Sequence, residues 1–358
     1  MGKRIVVGFD ASPLYSGDKI RGVGFYTKRL LKEIKKLRGL AIRELKNKQE
    51  VKKADYDLLH IPHFHPYFFT LPFIKRKPTV VTIHDLIPVK YPDYYPPGIK
   101  GKIRWQIQKR LLKKVDFVIT DSFASKYGIA DLAGYPQDRI YVTYLAAGKE
   151  FKKLEIRNLK LEIKRKYRLP DTFALYVGDV NWNKNIPTLI KACEKVKAPL
   201  VIVGKQATAK NFDKNHPENR DLVWIQNYYQ NQKPETRNLF LLGYISTEDL
   251  VAVYNLATVY CQPSFDEGFG LPVLEAMACG CPVVSSGRGP LPEVAGDAAE
   301  IVEPSIDGLA AGVKKVINNK NLREKLSKLG LDRVKEFSWR KTAEQTMFVY
   351  KLALFFLR

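Results

Sequence analysis

The chain has 358 residues, a length that suits two domains of ordinary size. Hydrophobic residues make up 45% and charged residues 27%, which excludes a disordered chain, and no run reaches the roughly 20 apolar residues of a membrane span. The net charge of +23 asks for an acidic partner, whether nucleic acid, anionic lipid or phosphorylated substrate, or else reflects only a lysine-rich proteome.

In chain order, MGKRIVVGFDAS reads as a buried first strand and not as a signal peptide. Its apolar run is short, Asp10 follows it, and the Ser or Thr of a myristoylation signal is missing. A cytoplasmic protein is expected. RIVVGF, residues 4–9, is continuously apolar, as a parallel strand covered on both faces must be. Next comes GDKIRGVGFYTKRLLKEI, where Gly22, Val23 and Gly24 form a loop ahead of a helix opening near Phe25. Glycines there let backbone approach a ligand, but G-x-G without a third glycine is an incomplete dinucleotide fingerprint. A ligand-facing loop and a simple turn both stay open.

Residues 28–53 hold eleven Lys or Arg against three Glu. Strands are predicted at 57–61, 79–84, 115–120 and 140–144, with helices between several of them, the pattern of a doubly wound α/β domain. HIPHFH contains His60, His63 and His65 at a spacing that suits no standard metal-ligand set, so it reads as a loop interleaved with Pro and aromatics. IKGKIRWQIQKRLLKK has seven basic residues and no acid, with Ile99, Ile103, Trp105, Ile107, Leu111 and Leu112 among them. Such a helix fits an anionic membrane surface, and it also fits an ordinary helix packed on a sheet.

A charged helical stretch at 154–168 precedes a second α/β series restarting at Phe173. Its predicted strands are FALYVG, PLVIVG, LVWIQ, LFLLG, TVYCQ and PVVSS, and STEDLVAVYNLA opens a helix with a Ser–x–x–Asp capping box. The expected domains are 1–155 and 156–337, with a last helix at 338–358 free to dock on either. Cys193, Cys261, Cys279 and Cys281 have neither disulfide-scaffold nor zinc spacing and read as small core residues.

The most informative stretch is 264–286, SFDEGFGLPVLEAMACGCPVVSS. A Gly-rich loop enters a helix at Pro272, which suits a first helical turn because it has no N–H to orphan. The amides of Gly268, Phe269, Gly270 and Leu271 then line a helix N-terminus, an end that attracts anions. Glu267 and Glu275 flank it. An anion cradle between two acids suits a ligand carrying phosphate and hydroxyls, such as a sugar nucleotide.

With this stretch, TIHDL and YVGDVNWNKN, the chain resembles a retaining GT-B glycosyltransferase of family 4 over nearly its whole length. Glu267 and Glu275, with seven residues between them in EGFGLPVLEAMACG, carry most of the resemblance. GRGPLPEVAGDAA, FLLGYISTEDLVAVYNLATVYCQPS and FSWRKTAEQT also fit, and LPEVAGDAA with GVGFYTKRLLKEI is most similar to the mannosyltransferase branch. The resemblance implies two Rossmann-like doubly wound domains facing a cleft. The first would bind the acceptor, with 338–358 crossing back to it, and the second the nucleotide sugar.

The resemblance also implies roles. Glu275 bonds the ribose hydroxyls, Glu267 contacts hydroxyls of the transferred sugar, and the amides of Gly268, Phe269, Gly270 and Leu271 face sugar and diphosphate. Lys184 stabilises charge developing on the diphosphate. His84 ends a strand where ligands of open α/β sheets gather and reaches the donor sugar. Gly204, Lys205, Tyr244 and Ile245 bind the base, largely through backbone, and the loop of Gly22, Val23 and Gly24 lies near donor and acceptor. One departure stands out. Many members of the resembled family carry Arg where this chain has Asp179, so Lys184 works with helix amides alone or with another cation such as Lys205. Asp55 and Asp57 spell the D-x-D of metal-dependent GT-A enzymes but precede a strand, so no metal and no cofactor are expected.

The expected reaction moves a hexose to a glycan or lipid-linked acceptor in polysaccharide or glycolipid synthesis, with retention and with GDP-mannose first and a UDP-sugar second as donor. The acceptor would be reached at the inner membrane face. The alternatives are a glycoside hydrolase, which needs no phosphate cradle, a GT-B phosphorylase or epimerase, and a non-catalytic basic protein binding membrane or nucleic acid. No nucleic-acid motif is present, so nucleic acid is not an expected partner.

Overall fold

A computed structural model describes residues 4–17, 22–155, 157–233 and 237–355. Residues 18–21 of the expected glycine loop and 356–358 of the expected last helix lie outside the described residues. The chain forms two compact units, Met1–Leu145 with Ser338–Arg358, and Ala146–Phe337.

The first unit is built on one parallel sheet of β1 (Ile5–Asp10), β2 (Leu40–Leu45), β3 (Leu58–Ile61), β4 (Thr79–Thr82), β5 (Phe117–Thr120) and β6 (Ile140–Val142), in the order β2-β1-β3-β4-β5-β6. Strands β3, β4 and β5 are buried along their whole length, which explains their unbroken apolar sequences. Strand β2 escaped the sequence reading because LAIREL carries Arg43 and Glu44. As an edge strand, paired with β1 from Ile5↔Leu40 to Asp10↔Leu45, it tolerates them. The helix Trp339–Phe355 packs within this unit, burying Ala343, Val349, Tyr350 and Ala353, and Thr342 Oγ1 donates to Tyr144 O at 2.5 Å.

The second unit holds β7 (Ala174–Val177), β8 (Leu200–Val203), β9 (Leu239–Gly243), β10 (Val259–Gln262), β11 (Val283–Ser286) and β12 (Ala299–Val302), again all parallel, ordered β12-β11-β10-β7-β8-β9. This is the doubly wound order in which strand succession reverses between β7 and β10. Ligands of such sheets bind outside the carboxyl ends of the strands at that reversal.

Three sequence expectations need correction. LVWIQ is not a strand but part of the helix Arg220–Asn231. A five-residue apolar run cannot by itself separate the two. Helical spacing prevails here: Leu222 and Ile225, three residues apart, enter the core, while Trp224 and Tyr228, four apart, stack with centroids 5.1 Å apart. Gly22, Val23 and Gly24 are not a loop before a helix. They are the first turn of the helix Gly22–Ile34, where Thr27 Oγ1 donates to Val23 O at 2.8 Å and Gly24 is buried. Finally, the apolar strand starting at residue 79 stops at Thr82, so His84 follows the strand.

Candidate active site

The site in the second unit is built at the reversal point. After β7 the chain makes a 3-10 turn, Trp182–Lys184, before the helix Ile186–Lys195. After β10 it runs through 263–270 into the helix Leu271–Ala278. Two asparagine amides sew these connections together. Asn183 Nδ2 donates to Asp266 O at 2.9 Å, and Asn185 Nδ2 donates to Pro263 O at 3.0 Å and Pro304 O at 3.0 Å. Phe265 N returns a bond to Asn183 O at 2.8 Å.

This stitching brings Lys184 and Glu267 together. Lys184 Nζ donates to Glu267 Oε2 at 2.6 Å, with side chains 22% and 8% exposed. The other carboxylate oxygen accepts from Gln262 Nε2 at 2.9 Å and Ser264 Oγ at 2.7 Å. Gln262 is fixed in turn by the Tyr260 hydroxyl, which donates to its Oε1, and Ser286 Oγ donates to Ser264 O at 2.6 Å. Both carboxylate oxygens of Glu267 thus have assigned partners. A charged carboxylate held by a cation and two neutral donors is the arrangement that makes burial of the charge tolerable.

Glycine geometry shapes the rest. Gly270 has φ +99° and precedes the helix Leu271–Ala278, and a Cβ there would lie 2.6 Å from Leu291 Cδ2. One turn into the helix, Glu275 Oε2 accepts from the Tyr254 hydroxyl at 3.3 Å. Burial first, then neighbouring Tyr176, Glu267 and Glu275, push the Tyr260 hydroxyl well above its ordinary pKa, so this phenol between the two acids stays a neutral donor. Phe269 is buried, its ring edge-on to Phe337 at 6.2 Å. Leu271 is half-buried.

The expected base-binding residues are split. Gly204 N donates to Gly243 O at 3.0 Å, and a Cβ on Gly204 would fall 2.0 Å from Gly178 O, so the ends of β7, β8 and β9 meet there with no room for a side chain. Lys205 and Tyr244 are exposed, Tyr244 by 72%, while Ile245 turns inward and is buried. Asp179 is exposed, and its carbonyl accepts from the Tyr176 hydroxyl at 2.7 Å.

His84 belongs to the first unit. Its Nδ1 lies 2.6 Å from Asp121 Oδ2, just beyond the end of neighbouring β5, and the ring of Tyr26 stands edge-on at 4.7 Å. Burial alone would lower the His84 pKa. Asp121 overrides it by charge and hydrogen bond, and Asp85 and the nearby Pro62 carbonyl add to it, so the net shift is upward. Asp121 is 2% exposed. Nδ1–H therefore faces Asp121, and the buried Nε2 has no hydrogen-bond partner among the described residues; nor does Asp121 Oδ1.

Behind it runs a polar chain: Tyr26 hydroxyl to Thr82 Oγ1 at 3.0 Å, Thr82 Oγ1 to His60 Nε2 at 2.9 Å, and His60 Nδ1 to the Tyr350 hydroxyl at 2.6 Å. Burial, with His84 and His63 nearby, lowers the His60 pKa to about 3, so His60 is a neutral structural residue. His65 Nδ1 accepts from Tyr67 N at 3.1 Å. The D-x-D acids serve the fold: Asp57 Oδ2 accepts from Val6 N at 2.8 Å, and exposed Asp55 lies 3.9 Å from Lys77. All four cysteines are buried and unpaired. Among the described residues no cluster of three or more His, Cys, Asp or Glu is placed to hold a metal ion.

Sequence reasoning missed Asp121, Gln262, Ser264 and the two asparagines. Asp121 was masked by Ser122, which caps the helix Phe123–Ala133 and makes the pair read as a helix start. Gln262 had a signal: a polar residue closing the otherwise apolar strand TVYCQ must have a buried partner.

Known proteins place the chain in the same frame. The family model "Glycosyltransferase Family 4" matches residues 5–146, and "Glycosyl transferases group 1" matches residues 159–333. The O-antigen chain mannosyltransferase B of Escherichia coli is 33% identical over 302 residues, covering 81% of this chain and 74% of that protein. The serotype-specific mannosyltransferase WbdA of Escherichia coli is 28% identical over 74% of this chain, which spans only 32% of WbdA. A solved sucrose-phosphate synthase of Thermosynechococcus elongatus superposes with a TM-score of 0.77 at 19% identity, covering 99% of this chain and 100% of that one. Anabaena HepE, solved with UDP and glucose, gives a TM-score of 0.72 at 16% identity, covering 97% of this chain and 99% of that one. The fold is GT-B, two parallel six-stranded sheets with their helices, and the chain belongs to glycosyltransferase family 4.

Proposed function

We propose that this glycosyltransferase transfers a hexose, mannose from GDP-mannose in the first instance, to a glycan or lipid-linked acceptor, with retention and without a metal ion. The observation that carries this reading is the Lys184–Glu267 pair, held at the reversal point of the second sheet ahead of the helix Leu271–Ala278. Glu267 accepts from the Lys184 ammonium. A diphosphate arriving at the helix N-terminus competes for that cation, and Glu267 is released to accept from sugar hydroxyls. When the bond from the anomeric carbon to the diphosphate oxygen breaks, Lys184 and the helix end stabilise the charge on the leaving nucleotide, the task a divalent cation would otherwise perform. The acceptor hydroxyl oxygen bonds the same carbon, and its proton passes to the departing phosphate. Glu275, one turn into the helix, is assigned to the ribose hydroxyls, and the backbone at Gly204, Lys205, Tyr244 and Ile245 to the base.

In the first unit, His84, held through Nδ1 against Asp121, is assigned to the donor sugar. The helix start at Gly22, Val23 and Gly24 is assigned to the same neighbourhood. The mannosyltransferase relatives support mannose as the sugar. The reading is tested by donor hydrolysis over GDP-mannose, UDP-glucose and their relatives, with and without EDTA. GDP release that EDTA leaves unchanged is the expected result. UDP release in its place would move the donor assignment, and EDTA inhibition rescued by Mn²⁺ would sink metal independence.

A further inference from the structure

At the amino ends of the second sheet, the end away from Lys184 and Glu267, lies a groove of about 790 Å³. Its floor is the chain entering β7, β10 and β11, at Thr172, Ala257, Thr258 and Pro282, and one wall is the helix Lys320–Arg333. The four residues of β10, on the order of 10 Å of strand, separate this floor from the Glu267 cluster. The lip of the groove is braced. Asn255 clamps the segment that carries Lys153 from both sides, its Oδ1 accepting from Leu154 N at 2.7 Å and its Nδ2 donating to Lys152 O at 3.0 Å. Gly280 has φ +71°, and a Cβ there would lie 3.4 Å from Lys153 Cδ and 3.2 Å from Ser327 Oγ, so the lysine stem and the hydroxyl converge over it.

The charges in the groove do not cancel. Asp332 accepts from Lys335 Nζ at 2.7 Å, and Glu324 lies 3.8 Å from Lys320. The Arg323 guanidinium donates to Val316 O at 3.1 Å and to Ile317 O, carbonyls at the end of the preceding helix. Lys153 and Lys328 are exposed and have no hydrogen bond or ion pair among the described residues, Lys328 adding only a longer-range pull on Asp332. Unpaired surface lysines are common in a chain of net charge +23. These two stand apart because they share a braced, concave site with the Ser327 hydroxyl. Two spare ammonium groups match the charge of about −1.5 to −2 on a phosphomonoester, where a carboxylate would leave one cation over. We infer that this groove binds a hexose phosphate. Lys153, Lys328 and the Ser327 hydroxyl take the phosphate, the Glu324 and Asp332 carboxylates accept from sugar hydroxyls, and Pro282 and Leu331 meet the C–H surface of the ring. No aromatic side chain lines the groove among the described residues, so a nucleobase has nothing to stack on there.

The proposal stands apart from the donor reading. Its test is titration calorimetry of the full chain with mannose 6-phosphate, and with inorganic phosphate and methyl α-mannoside in parallel. Mannose 6-phosphate should bind more tightly than either fragment, and saturating GDP should leave that binding unchanged. Lys153→Gln and Lys328→Gln should each weaken it about tenfold and together about a hundredfold, the scale of one hydrogen bond to a charged group per lysine. Both positions are exposed, so the double variant should fold, as circular dichroism would verify, and should keep wild-type donor hydrolysis. Absence of binding, displacement by GDP, either fragment binding as tightly as the sugar phosphate, or unchanged affinity in the folded double variant overturns the assignment. So does loss of donor hydrolysis in that variant, which would put these lysines in the donor site.

Discussion

Replacing Glu267 by Gln preserves shape, removes charge and turns part of an acceptor into a donor. The Gln amide has one oxygen and one NH₂, but all three partners of Glu267 are donors: Lys184 Nζ, Gln262 Nε2 and Ser264 Oγ. Gln262 would turn over only by giving up the bond that its Oε1 accepts from the Tyr260 hydroxyl. Either orientation therefore sets NH₂ against a donor and leaves Lys184 without its anion.

Breaking a buried pair costs about 3–5 kcal/mol. Lys184 is 22% exposed and can recover some hydration, so about 2–3 kcal/mol is the expected loss for Glu267→Gln. Lys184→Met strands the carboxylate instead and should cost a similar amount, about 2–3 kcal/mol. The double variant leaves neither charge unpaired and should cost no more than either single change, a coupling of about 2 kcal/mol. Native-state hydrogen exchange of the β7 and β10 amides reads the second unit separately from the first. If the two single losses simply sum to the double within about 0.5 kcal/mol, the pair is not the unit described.

For the reaction itself, Lys184→Ala should cost about 2–4 kcal/mol in kcat/KM, the scale of one lost charge-stabilising donor. A loss below about tenfold would count against its role on the leaving group. Asp121→Asn should lower the His84 pKa, visible by NMR titration of the imidazole nitrogens and as a shift of the alkaline limb of donor turnover to lower pH. An unmoved His84 titration would refute the pairing. His60 sets an acid limit on stability. Its folded pKa lies below the unfolded value of about 6.5, so its contribution is fully present above that value and declines as pH falls toward about 3, at up to about 1.4 kcal/mol per pH unit. His84 has the opposite sign, its contribution complete below about 6.5, so it adds no slope in that window. A stability slope between about pH 6 and 4 that is identical in His60→Asn would remove His60 as the cause.

Most of the sheet framework was legible because buried parallel strands must be continuously apolar: β3, β4, β5, β8 and β10 all stand out on that ground. What failed lay at edges and in helices. Strand β2 carries charges that its edge position allows, partly exposed β12 lacks the unbroken burial of a central strand, and LVWIQ is a short apolar run whose period was misjudged. Within the candidate site, Glu267 and Glu275 were legible as acids flanking a glycine-rich loop and helix start, and Lys184 only through the family resemblance. The side-chain amides that position them were not, because a hydrogen bond such as Asn183 Nδ2 to Asp266 O, spanning 83 residues, has no local signature. The Lys184–Glu267 contact was hidden for the same reason, each residue having been assigned separately to the ligand.

The return of the last helix to the first unit fixes an order of events during synthesis. Tyr350, which bonds His60, and Val349 and Ala353, which fill the space beside the sheet, emerge only after Ala146–Phe337 has been made. At about 5–20 residues per second, translating that second unit takes on the order of 10–40 s. Through that interval the nascent first unit holds its apolar helix-docking face uncovered and a buried-type histidine without its hydroxyl. The second unit, contiguous in sequence, faces no such wait. Of the two units, the one made first is therefore the one completed last.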